Sequence, residues 1–263
     1  MRVGVYNVEV RQVWLLAMLG CGRFDFGQLQ GLSHDAAIDA AVIDAPLDPT
    51  LVAWWRMESL EGSGSTRGIL DATDLSQTFA ACTEGSNCPT IVPGKIGNAA
   101  QFDGSTTILS AASAPALIDP VFTIGAWFRI GVVNNAGACV MTKGLGTDIS
   151  NSWAACLDNA SVPYFFTCQA AGCDSLQATQ PITDNGWHYI ACTWTGTTKN
   201  LWLDGVSVAL DSPAGIDFDD DPIYIGADVD SGVPVTNLDG LVDEVRIYNR
   251  VLSEAEIIAL SMP

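Results

Sequence analysis

Positive charge, histidine and glutamate are all scarce in this chain of 263 residues. Eleven Lys and Arg stand against 30 Asp and Glu, a net charge of −19, with a sequence pI near 4.1. A field of that sign repels nucleic-acid backbones and anionic membrane surfaces, so neither is an expected partner. It suits hard cations such as calcium, which take carboxylate and carbonyl oxygens, although most of the acidity reads as a means of staying soluble. The two histidines, His34 and His188, offer little to a Ser–His–Asp arrangement. Glutamate occurs at 9, 58, 61, 84, 244, 254 and 256 and is missing from 139–193, whereas hydrolysis of a glycosidic bond needs two carboxylates at a defined separation. The cysteines lack the tight, repeated spacing with nearby His that a zinc site requires.

At the N-terminus, VWLLAML (13–19) follows Arg2 and Arg11 and leads into Gly20–Cys21. A run this short does not span a bilayer as a helix, and its placement suits an export signal. MLGC resembles a bacterial lipobox, in which the cysteine becomes the lipidated first residue of the mature chain. Residues 1–21 are therefore read as a lipoprotein signal peptide with Cys21 as the lipidation site. The product is an exported bacterial lipoprotein of the outer membrane or cell surface, touching the membrane only through that anchor. Residues 22–50 carry Asp35, Asp39, Asp44 and Asp48 among Ala and Ile, and Pro46 and Pro49 end any helix. Such a stretch has little to bury and reads as an acidic Ala/Asp/Pro linker. Seven further cysteines suggest an oxidising compartment. Cys82/Cys88 and Cys168/Cys173 are near enough to staple their own loops. Cys139 and Cys156 fall on what read as neighbouring antiparallel strands, and Cys192 is the odd one.

From 51 to 263 the hydrophobic pattern is that of one β domain. In VFTIGAWFRI, Phe122, Ile124, Ala126, Phe128 and Ile130 alternate with Thr123, Gly125, Trp127 and Arg129. LVAWWRM, NAAQFDGSTTILSA, ACVMTKG, SWAACLDN, PYFFTCQ, WHYIACTW, NLWLDG and PIYIGADV supply further strands. Only SEAEIIALS looks helical, with Ser253 as N-cap and Glu256 three residues on. The expected fold is all-β, a two-sheet antiparallel jelly-roll sandwich with one short C-terminal helix. In the last strand, DGLVDEVRIYN, strict alternation sets Leu241, Asp243, Val245 and Ile247 on one face. Asp243 would then share a face with core residues, a costly place for a carboxylate without a partner.

WWRMESLEGSGS, VPGKIGNAAQFDGSTTI, FTIGAWFRI, GWHYIACTWTGTTKNLWLDGV, IYIGADVD and LVDEVRIYNRVLSEAEI, in that order, resemble the laminin-G-like jelly roll of the concanavalin A-like lectin/glucanase superfamily, related to the pentraxins. The resemblance covers 51–260. It implies a fold whose members usually bind sugars, proteins or calcium without catalysis, and fold alone does not fix function.

The resemblance also implies metal sites. A structural calcium would be held by Asp243 with an early carboxylate, Glu58 in preference to Glu61, and backbone carbonyls. On the residues alone, Asp243 could instead accept backbone N–H bonds. Pentraxin calcium ligands match Asp228 and Asp230, with Asp148 from an earlier loop, at the rim; the other reading is a solvated acidic loop. IDFDDDP (216–222) reads as a solvated turn, Asp103 as a turn former and His188 as structural. The pentraxin disulfide joins strands matching FTIGAWF and YIACTW, but Gly125 stands opposite Cys192 in that scheme, so the bridge is not expected. The superfamily's glucanase pattern Glu-x-Asp-x-Glu and sialidase-like Asp boxes are absent. The chain is expected to be no enzyme but a surface-anchored module binding polysaccharide with calcium. The alternative is an adhesion domain for a cell-surface protein with at most structural calcium, and an atypical glycoside hydrolase stands third.

Overall fold

The computed structural model describes residues 47–73, 79–133, 136–146, 150–213 and 215–262. Cys21, His34, Asp148 and the linker up to residue 46 lie outside the described residues.

Two antiparallel sheets form the body. The first runs β14 (Val206–Asp211), β13 (Lys199–Leu203), β12 (His188–Trp194), β7 (Phe122–Ile130), β18 (Asp239–Tyr248), β5 (Asn98–Asp103) and β4 (Thr90–Pro93), while β1 (Leu51–Trp55) pairs with the far half of β18. The second runs β11 (Gly172–Gln177), β10 (Pro163–Gln169), β9 (Asn151–Leu157), β8 (Ala138–Gly144), β15 (Ile223–Ile225), β6 (Leu109–Ala111), β3 (Ala80–Cys82) and β2 (Arg67–Ile69). A small ribbon, β16 (Asp228–Asp230) with β17 (Val233–Val235), follows β15. This is the expected jelly-roll sandwich. Several of its short strands (β2, β3, β4, β11, β14 and β17) were not among the expected ones.

The alternation of β7 works as read. Phe122, Ile124, Ala126, Phe128 and Ile130 enter the core between the sheets, where they meet Trp153, Phe165 and Leu176 of the second sheet. Trp127 points the other way, into a second cluster with Trp54, Tyr189, Trp202, Tyr248 and Ile257. Ile257 belongs to the only α-helix among the described residues, α1 (Glu254–Leu260), so the outer face of the first sheet is partly covered. Ser253 and Glu256 form the expected capping box: the Ser253 side chain accepts from Glu256 N, and the Glu256 carboxylate accepts from Ser253 N.

The strict alternation expected in β18 fails at one point. Glu244 has φ +54°, and the pairing with β7 jumps between Asp243↔Trp127 and Arg246↔Gly125. This is a β-bulge, which inserts a residue and flips the phase of the strand. Val242, Val245 and Ile247 therefore all reach the core, while Asp243, opposite Trp127, is on the outer face rather than beside them. A second register correction concerns Cys192, which lies opposite Ile124 in the core, whereas Gly125 lies opposite Ala191. A side chain at Gly125 would meet the Tyr189 hydroxyl, 2.4 Å from an added Cβ.

All three expected disulfides form: Cys82–Cys88, Cys139–Cys156 and Cys168–Cys173. Cys192 is a buried free thiol, which burial holds well above the usual thiol range. Two lysines are wholly buried. Lys199 Nζ donates to Phe165 O, Thr167 Oγ1 and Asp174 O at 3.1–3.2 Å and meets Asp174 Oδ2 at 2.5 Å. Lys143 Nζ donates to Asp219 O and Asp221 O at 3.0 and 2.6 Å. The acidic run at 216–222 is thus more than a solvated turn: it wraps a buried ammonium.

Candidate functional site

The β4–β5 turn, Gly94–Asn98, is gripped by two acidic side chains. Asp243 Oδ2 accepts the N–H groups of Lys95 and Ile96, each at 2.9 Å. Glu58 Oε2 accepts Asn98 N at 3.0 Å, and Asn98 Nδ2 donates back to Glu58 O at 3.1 Å. The turn needs glycine at 97, where φ is +61° and a Cβ would fall 2.4 Å from Glu58 Oε1. Of the two accounts open for Asp243, the backbone N–H bonds are present. Its second oxygen, Oδ1, is buried without a hydrogen-bond partner among the described residues. Burial pushes the Asp243 carboxyl up to about 7 against the pull of the two N–H donors, and the nearby charges of Glu244 and Glu58 add to the rise. Glu244 is raised by burial too, but it has cations: Arg246 bonds its Oε2, Arg56 Nε lies 3.7 Å from Oε1, and Trp54 Nε1 donates to Oε2 at 2.9 Å. Glu61 is exposed and accepts from Ser59 Oγ, so the early carboxylate near Asp243 is Glu58.

The other candidate lies on the outer face of the second sheet. On β10, Phe165 enters the core while Tyr164 and Phe166, on either side of it, point outward and stay half-buried. Across the sheet, Tyr164 faces Cys156 and Phe166 faces Ala154, and Ser175 of β11 is opposite Phe166. Small residues on β9 leave a depression between the rings and the start of β16. Its volume is ≈ 260 Å³, and Asn151, Ser175 and Asp228 give it polar margins. Asn151 Nδ2 donates to Asp228 Oδ2 at 2.9 Å, and Val229 N to Oδ1 at 2.8 Å. Burial, with the charges of Asp228 and Asp158, pushes the Tyr164 phenol up to about 12, so it keeps its proton.

Of the rim residues read from sequence, Asp228 lines this groove and Asp230 lies two residues on, on β16. Asp148 is outside the described residues. Among the described residues, no three carboxylate, imidazole or thiolate side chains are placed to share one ion. The aromatic pair escaped sequence reading because PYFFTCQ carries aromatic residues on both faces of the strand; the small residues at 154 and 156 were the available signal. Asp103 is the expected turn former, accepting from the N–H groups of Ser105, Thr106 and Thr107. His188 bridges Asp204 and Asp184 at 2.8 and 3.1 Å.

Two jelly-roll sheets, with an aromatic groove on one outer face, define a lectin-like sandwich. The chain belongs to the concanavalin A-like lectin/glucanases superfamily, whose laminin-G-type family model matches residues 102–258. No curated protein matches it by sequence. Among solved structures it is similar to the binding domain of Paraclostridial Mosquitocidal Protein 1, at TM-score 0.61 and 17% identity over 81% of this chain and 52% of that one. It is similar to domain 4 of AbnA, a GH43 extracellular arabinanase from Geobacillus stearothermophilus in complex with arabinotriose, at TM-score 0.59 and 16% identity over 81% and 98%. A third is the binding domain of botulinum neurotoxin DC in complex with SialylT, at TM-score 0.60 and 12% identity over 81% and 51%. The chain thus spans about half the length of the two toxin domains. At these identities the likeness is one of fold.

Proposed function

We propose that the domain is a non-catalytic carbohydrate-binding module that holds a saccharide in the Tyr164–Phe166 groove. The observation that carries this reading is the pair of outward aromatic rings, bordered by an amide, a hydroxyl and a carboxylate. Sugar rings present apolar C–H faces to such rings and hydroxyls to such polar groups. Structural relatives that include an arabinotriose-bound domain support it. The non-catalytic part is supported by the lining, in which Asp228 is the one carboxylate, whereas glycoside hydrolysis uses two. Each Asp228 oxygen accepts one hydrogen bond and keeps a lone pair for a sugar hydroxyl, so the groove is read as contacting sugar directly. The proposed calcium is structural: Glu58 and the unpaired Oδ1 of Asp243 would hold it, and its charge would offset the acidic cluster there. Three disulfides support an oxidising compartment, in keeping with export as a lipoprotein anchored at Cys21.

A glycan array on the intact chain, followed by calorimetry with the best polysaccharide, tests the reading. Tyr164→Ala and Phe166→Ala should each weaken binding about tenfold or more, with unchanged circular dichroism and no release of reducing sugar. Full binding by both variants would sink the groove assignment. An array without hits, beside capture of a defined cell-surface protein, would favour the adhesion reading instead.

A further inference from the structure

The first sheet carries its own concavity, on the face opposite the core and away from Tyr164. Its volume is ≈ 530 Å³, twice that of the aromatic groove, and Gln101, Arg129, Asn185, Asp239 and Leu241 line it. The strand registers fix the floor: Gln101 pairs with Leu241, and Leu241 with Arg129. A carboxamide, an aliphatic floor and a guanidinium therefore stand in a row across β5, β18 and β7. Asn185 overhangs from the loop before β12, and the Arg129 guanidinium rests on Trp187, 5.7 Å from the ring centre.

Arg129 is unusual in this chain. Among the described residues, Arg56, Arg67, Lys143, Lys199, Arg246 and Arg250 all lie within salt-bridge distance of a carboxylate. Lys95 rests on the Trp127 ring at 4.4 Å. Arg129 is the exposed cation without a carboxylate partner among the described residues, and it sits inside a polar hollow. Asp239, the acid in the same hollow, is turned to the backbone: its Oδ2 accepts Val132 N at 3.4 Å, and its Oδ1 lies 2.9 Å from where a Gly131 Cβ would stand.

We infer that this hollow is a second saccharide subsite, selective for a sugar bearing a carboxylate. The guanidinium donates two parallel N–H bonds to a carboxylate, a geometry that an ammonium does not offer. Gln101 and Asn185 each present both a donor and an acceptor to hydroxyls, and Leu241 supports a C–H face. The net charge of −19 opposes a polyanion, so the fitting ligand has an isolated or terminal uronate among neutral sugars. The subsite rests on the reading that the domain binds saccharides, and it makes the module bivalent, with one site on each outer face.

The test is an NMR titration of the isotopically labelled intact chain with sodium glucuronate, with glucose in parallel at matched ionic strength. The expected result is shifts centred on Gln101, Asn185 and Gly240, with glucuronate bound about tenfold more tightly than glucose. Arg129→Gln should remove that preference, and Asn185→Ala should weaken both sugars there. Tyr164→Ala should leave these shifts unchanged, which separates this subsite from the groove: loss of groove binding alone refutes only the earlier reading. Equal affinity for the two sugars, an unaltered preference in Arg129→Gln, or glucuronate shifts confined to the Tyr164 groove would overturn the subsite.

Discussion

Neutralising Asp243 is the sharpest perturbation the fold offers. Its carboxyl is raised from 3.8 to about 7 in the folded chain, about three units at about 1.4 kcal/mol each. Between those values the folded state keeps a proton that the unfolded chain has released, so stability falls as pH rises. The cost is absent below pH 3.8 and complete above pH 7, where it reaches about 4 kcal/mol at most. Roughly 2.5 kcal/mol of it falls between about pH 5 and pH 8. Asn at 243 retains an oxygen to accept the Lys95 and Ile96 N–H groups and carries no charge. Urea unfolding in calcium-stripped buffer at those two pH values should therefore show wild type losing about 2 kcal/mol more than Asp243→Asn. Comparing the two chains cancels the other titrating groups. Millimolar calcium near pH 8 should restore wild type and leave Asp243→Asn unmoved. Identical pH slopes would refute the burial argument, and equal calcium effects would refute the metal assignment separately.

Three further outcomes follow from the same physics. Asp204 and Asp184 raise the His188 pKa, so its contribution is full below about 6.5 and is lost as pH rises through the folded value; His188→Gln should flatten the stability curve there, as read by thermal melts from pH 5.5 to 8.5. Lys199→Met keeps volume but strands Phe165 O, Thr167 Oγ1 and Asp174, and should cost about 3 kcal/mol in urea unfolding; a loss under ~1 kcal/mol would mean the buried ammonium contributes little. Replacing both Cys139 and Cys156 by Ala opens a bridge across 17 residues, with an expected loss of about 3 kcal/mol. Because Cys156 lines the groove, sugar affinity should fall with it, and unchanged affinity would detach the bridge from the site.

What could be read in the sequence was whatever depends on period or on short separation. β7 is nine residues long, enough for its alternation to identify both faces, and the Ser253–Glu256 box announces α1 by residue type alone. The Cys82–Cys88 and Cys168–Cys173 bridges close six- and five-residue separations, so local proximity forecast them. Strands such as β2 and β3, three residues each, are too short to carry a period. The bulge at Glu244 was illegible for a different reason. A non-glycine residue at φ +54° costs backbone energy that only tertiary contacts repay, here Trp54 Nε1 and Arg56. Those contacts come from elsewhere in the sheet, so no local pattern around Asp243 signals that the strand changes phase there.

The same bulge explains why one acid is satisfied and its neighbour is not. By putting Asp243 and Glu244 together on the outer face, it brings two carboxylates to a region served by two guanidiniums, Arg56 and Arg246. Both of them meet Glu244, and Lys95, whose backbone N–H bonds Asp243, lays its ammonium on Trp127 instead. Arg129 apart, the other cations are committed just as closely: Lys143 is buried against loop carbonyls, Lys199 against strand carbonyls, and Arg250 is fixed by Asp48 and Glu256. No described side chain is left to meet Asp243 Oδ1. In a chain so poor in positive charge, the compensating charge at that oxygen has to be a proton or an ion taken from solvent, and pH decides between them.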